Sequence, residues 1–117
     1  MSGTASKRLL IVDPNKAYAG IVKEAIARHT PGVGVDVATN VWELKRRLRE
    51  RSYTAVLADV STAPDAEEMQ EAFNSTDIPV FFWDNTKRSR DAKASRKPSS
   101  ISEVGVAINA FMPLFGI

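Results

Sequence analysis

The chain has 117 residues, a formal net charge of +2 and no cysteine. This length sets the expectation of one domain that can bury a core without disulfide or metal staples, and the lack of cysteine excludes a thiolate nucleophile and a cysteine zinc site. The charge is too small to argue for nucleic acid on its own, and no signal-peptide core or bilayer-length apolar run is present, so a cytoplasmic protein is expected.

Residues 1–7 are small and polar and read as a disordered N-terminus, followed by one domain over 8–117. Residues 8–13 form an apolar strand that ends in Asp13. Pro14 and Asn15 break it. From Lys16 to His29, the apolar positions Tyr18, Ile21, Val22, Ala25 and Ile26 recur at helical spacing. His29 is the single histidine; it reads as a surface residue at a helix end and speaks against a histidine-based triad. Thr30, Pro31 and Gly32 end that helix. Val33, Val35 and Val37 then alternate with Gly34 and Asp36, the pattern of a strand covered on one face and near a sheet edge.

Asn40 is placed to cap a second helix, with Glu43 at the return position of a capping box. Leu44 and Leu48 continue its buried stripe, while Lys45, Arg46, Arg47, Arg49 and Arg51 read as a solvated face. Residues 53–59 run Tyr-Thr-Ala-Val-Leu-Ala-Asp, a strand buried on both faces that stops at Asp59. Pro64 suits the first position of a third helix. Asp65, Glu67 and Glu68 fall in its first turn, where the helix dipole favours acids. Met69, Ala72 and Phe73 face inward. Residues 78–83 form a fourth strand that leads into Asp84. Residues 85–96 are polar, basic and without period, and Lys97-Pro98 follows. Ser99 and Ser100 can cap a last helix with an apolar stripe of Ile101, Val104, Ile108, Phe111 and Met112, stopped by Pro113. The apolar tail over 112–117 either covers the last strand or joins a dimer.

Strands alternating with helices imply a mainly parallel sheet covered on both faces. In such sheets the ligand crevice lies outside the carboxyl ends of the strands. Strands ending in Asp13, Asp59 and Asp84 would bring three carboxylates to one edge.

With that order and those residues, the chain resembles the receiver domain of two-component response regulators over nearly its whole length. The resemblance implies an α/β fold of the flavodoxin-like, doubly wound type with strand order 2-1-3-4-5. The helix before strand five is expected to be short or missing and strand five weak, because residues 85–96 are too few for both. It implies that Asp13 is the first residue of the family's acidic pair, that Asp59 is the phosphoacceptor, and that Asp84 stands at the position of the switch Ser or Thr. Lys97 with Pro98 matches the family's Lys-Pro pair, usually joined by a cis bond. Lys97 would then hold phosphoryl or carboxylate oxygens. Mg2+ would bridge Asp13 and Asp59, with Asp84 as a further candidate ligand.

Departures from the pattern point to an atypical or pseudo-receiver. Pro14 replaces the second acid, so Mg2+ affinity should fall. Asp84 would face an incoming phosphoryl group; two unit charges about 4 Å apart at an effective dielectric near 20 repel by about 4 kcal/mol. The usual Met-Pro and Gly after the acceptor are replaced by Ser61-Thr62-Ala63-Pro64. The expected role is a signalling interaction module with a protein partner, a kinase or an output protein. It is expected to be no enzyme beyond self-phosphorylation at Asp59, itself weak or absent. One alternative is a phosphorylatable receiver that uses Asp59 with Mg2+. Another, of a different class, is nucleic-acid binding through the basic residues between Lys87 and Lys97, disfavoured because no aromatic residues are interleaved with them.

Overall fold

The computed structural model describes residues 7–30, 32–84, 95–96, 101–111 and 113. In chain order the elements are β1 (Arg8–Val12), α1 (Lys16–His29), β2 (Gly34–Ala38), α2 (Val41–Glu50), β3 (Ala55–Ala58), α3 (Ala66–Asn74), β4 (Val80–Asp84), β5 (Ser95–Arg96) and α4 (Ile101–Phe111). The strands form one sheet in the order β2-β1-β3-β4-β5, and every pairing is parallel. β2 is the edge strand its alternation predicts, and β5 is only two residues long. Several expectations fall outside the described residues: disorder before Lys7, the role of Pro31, the form of residues 85–94, the Lys97-Pro98 bond, the Ser99–Ser100 cap, and the tail past Pro113. The same holds for the side chains of Ile101, Phe111 and Met112.

The period of two in a strand divides the core into two layers. Leu9 and Ile11 of β1 and Ala55 and Leu57 of β3 face α1 and α4, where they meet Ala19, Val22, Ile26, Val104 and Ile108. Leu10, Val12, Val56 and Ala58 face the other way, onto Leu44 of α2 and Met69 and Phe73 of α3. Strands β1 and β3 are buried on both faces because each neighbouring layer is a helix pair. No described helix is long and apolar enough to cross a membrane.

Helix ends follow the polar residues beside them. Asn15 Oδ1 accepts the Tyr18 N–H at 3.1 Å and starts α1. Asn40 Oδ1 accepts the Glu43 N–H at 2.9 Å, while Glu43 turns to the Thr39 N–H (3.0 Å) and hydroxyl (2.6 Å) rather than to Asn40. Those bonds hold the Glu43 carboxyl below its usual range. Pro64 does not open α3, contrary to expectation. The helix begins at Ala66, after a turn at Pro64 and Asp65. Asp65 is drawn away from its own helix: its Oδ2 accepts the Val41 N–H of α2 at 2.7 Å. One carboxylate thus ties the starts of two helices together.

The basic run of α2 is also more than a solvated face. Arg51 Nε lies 3.5 Å from Asp36 Oδ2. Asp36 also accepts the Tyr53 hydroxyl at 2.8 Å and pairs with Arg8 at 3.4 Å. Burial and the bond to Asp36 push the Tyr53 phenol above its usual range.

Gly20 sits inside α1, exposed, and a Cβ there would meet nothing within 4 Å. Gly20→Ala is expected to stabilise the fold by about 0.5–1 kcal/mol, since alanine gives up less backbone freedom in a helix. A urea midpoint that rises at unchanged slope is the expected result.

Candidate functional site

The carboxyl edge of the sheet holds two of the three carboxylates that the strand pattern pointed to, those of Asp13 and Asp59. Val12 pairs with Ala58 in register, so Asp13 and Asp59 follow side by side on adjacent strands. Backbone bonds fix both: the Asp59 N–H donates to the Val12 carbonyl (2.8 Å), and the Asp13 N–H donates to the Ala38 carbonyl (3.0 Å). Both residues are buried, Asp13 at 1% and Asp59 at 3% exposure. They are the only buried polar or charged residues among those described.

Each carboxylate is oriented by the loop that follows it. Asp13 Oδ1 accepts the Asn15 N–H at 2.8 Å. Asp59 Oδ1 accepts both the Ser61 N–H at 3.0 Å and the Ser61 hydroxyl at 2.6 Å. Pro14 bends the chain between Asp13 and Asn15 and offers no side-chain oxygen. Among the described residues no group of three or more His, Cys, Asp or Glu is placed to hold a metal ion.

Asp84 ends β4, next to β3. Its backbone is therefore on the edge foreseen for it, while its side chain lies outside the described residues. Lys97 lies outside them altogether.

Tyr18 belongs to this site, although in the sequence it is one more position in the apolar stripe of a helix. It stands on the first turn of α1, directly after the Asp13 loop. Its phenol is pushed above its usual range by burial, then by the nearby charges of Asp13, Asp59 and Glu103. It meets buried Trp83 edge to face, with ring centroids 6.0 Å apart. An aromatic residue within one turn of the loop after a strand-ending acid was the available signal.

Two neighbouring buried carboxylates disfavour each other's charged forms, a cost in stability that a functional site tolerates. Asp59→Asn removes one charge and keeps a carbonyl oxygen for Ser61. It is expected to stabilise the fold by about 1 kcal/mol, read from the urea midpoint. A loss of similar size would mean that the carboxylate is held by stronger partners than the site repels.

No family model matches the chain, and no curated protein matches it. Solved structures do. A response regulator receiver protein from Burkholderia phymatum is 18% identical, with 95% of this chain and 96% of that one covered and a TM-score of 0.71. A two-component response regulator from Clostridium difficile is 15% identical, with 92% and 96% covered and a TM-score of 0.70. The response regulator TrrA from Thermotoga maritima, solved with Mg2+-BeF, is 19% identical, with 91% and 99% covered and a TM-score of 0.67. Strand order, helix placement and these neighbours agree: the chain has the flavodoxin-like fold of response regulator receiver domains.

Proposed function

We propose that the chain is a pseudo-receiver, a cytoplasmic signal-transduction module that works by binding a protein partner, with phosphorylation of Asp59 weak or absent. The observation that carries this reading is Pro14. It follows Asp13 at the carboxyl edge, where the receiver pattern has a second acid.

Asp13 and Asp59 would hold Mg2+ there. The ion commonly keeps several waters and needs one or two carboxylates, so a site built on this pair is weakened rather than lost. When bound, Mg2+ supplies charge neutralisation for a phosphoryl group next to two carboxylates. The protein's own part is orientation: Asn15 and Ser61 aim the carboxylates, and Tyr18 with Trp83 closes the side toward α1. Lys97 is assigned to hold oxygens of the site. Asp84 is assigned to the switch position, as a further oxygen ligand or as a repelling charge.

Incubation with a small phosphodonor and Mg2+, followed by intact-mass measurement, tests the proposal. Little or no added phosphoryl mass is expected. Rapid, near-complete modification that disappears in Asp59→Asn would instead establish the second reading, a phosphorylatable receiver. The close placement of Asp13 and Asp59, and the Mg2+-BeF complex of a neighbour with the same fold, favour that second reading.

A further inference from the structure

Trp42 is the largest of the exposed apolar side chains among the described residues, 64% open on the first turn of α2. Its ring is held on one side by the Arg46 guanidinium, 5.0 Å from the centroid. An indole displayed in this way covers no core. Trp42, Lys45, Leu48 and Arg49 recur at spacings of three and four, so they share one face of α2. With Ala72, Ser75 and Thr76 on the α3 side they line an open groove of about 660 Å3. Leu48 and Ala72 give it apolar walls, and Lys45 and Arg49 make its α2 rim cationic.

The groove's α3 lining is uncharged, and acids stand beside it on the exposed surface of α3. Glu67, Glu68 and Glu71 are exposed along that helix. Among the described residues a single ion pair crosses between the helices, Lys45 to Glu68 at 4.0 Å. Arg49 and Glu71 make no ion pair among the described residues.

A basic strip beside an acidic strip, around an apolar groove, is complementary to itself. An isologous interface requires that property, because a twofold axis sets each strip against the other strip of the second copy. An acidic foreign segment would be drawn by Lys45 and Arg49 but repelled by the α3 acids. We infer that the occupant of the α2–α3 groove is a second copy of this chain. It docks α2 of one protomer against α3 of its partner, and Trp42 enters the partner's groove. Interface tryptophans of this kind dominate binding free energy when they fill a pocket.

The test is sedimentation of the full chain over a concentration series up to about 1 mM, with circular dichroism to show that each variant is folded. The wild type is expected to form a reversible dimer. Trp42→Ala should weaken it roughly thirtyfold or more. Arg49→Glu alone and Glu71→Lys alone should be monomeric, since each homodimer sets like charges together. An equimolar mixture of those two should associate again, because every cross-copy contact then joins opposite charges. A wild type that stays monomeric overturns the proposal. A dimer indifferent to Trp42→Ala and to both charge reversals also overturns it, as does a mixture that behaves like its components. A monomer whose Trp42 fluorescence responds to added polyglutamate would reassign the groove to an acidic foreign partner.

Discussion

Trp83→Ala is expected to cost about 3–5 kcal/mol, the loss typical of deleting a large buried aromatic. Trp83 is 1% exposed and packs in the layer of Leu57, Ile11 and α1. Removing it empties the end of β4 and takes away the edge contact of Tyr18. A domain of this size has a total stability of only about 5–15 kcal/mol, so the variant should melt roughly 10–20 °C lower. The contrast is Trp42→Ala, which removes an exposed ring and, in solution dilute enough to keep the chain monomeric, should change stability by about 0.5 kcal/mol or less. Thermal melts of the two variants check both statements. Similar losses in the two would mean that Trp42 is a core residue.

The second large effect is a gain. Pro14→Asp is expected to raise Mg2+ affinity about tenfold or more, equivalent to about 1.4 kcal/mol for each factor of ten. Pro14 directly follows Asp13, whose carboxylate is already aimed by Asn15. A carboxylate at position 14 would give the pair formed by Asp13 and Asp59 a third anionic oxygen ligand, which suits a hard cation. Without the metal, the same variant should be less stable than the wild type, because a third like charge joins a crowded edge. Calorimetric Mg2+ titration and a urea melt in chelator measure the two sides. Unchanged affinity would place residue 14 away from the ion.

Much of the architecture was legible because burial imposes simple patterns. Runs such as Leu9-Leu10-Ile11-Val12 and Ala55-Val56-Leu57-Ala58 have no polar face, and a strand between two helix layers needs none. The strand-ending acids could be read for the same reason: an apolar run that stops at Asp13 or Asp59 marks where the sheet meets solvent or ligand. Polar residues whose partners are distant in sequence were harder. Asp36 looked like the outward half of an alternating edge strand, yet it gathers Arg8, Arg51 and Tyr53, contributed by β1 and the segment before β3. Asp65 looked like a first-turn acid of its own helix and instead holds the start of α2. Pro64 lies in a turn two residues before α3 begins. Tyr18 fits the apolar stripe of α1, and that stripe does not mark its polar end, which lies near the charges of Asp13 and Asp59.

Asp13 and Asp59 lie side by side at the carboxyl edge, and Pro14 stands where the receiver pattern has a second acid. The most direct measurement is an amide NMR titration with Mg2+ and then beryllofluoride, run on the wild type, Pro14→Asp and Asp59→Asn. Expected in the wild type are weak Mg2+ shifts confined to the surroundings of Asp13 and Asp59, with no saturable response to beryllofluoride. Pro14→Asp should respond at lower Mg2+, and Asp59→Asn should not respond. A wild type that saturates with beryllofluoride as readily as Pro14→Asp, and loses that response in Asp59→Asn, would contradict the pseudo-receiver reading.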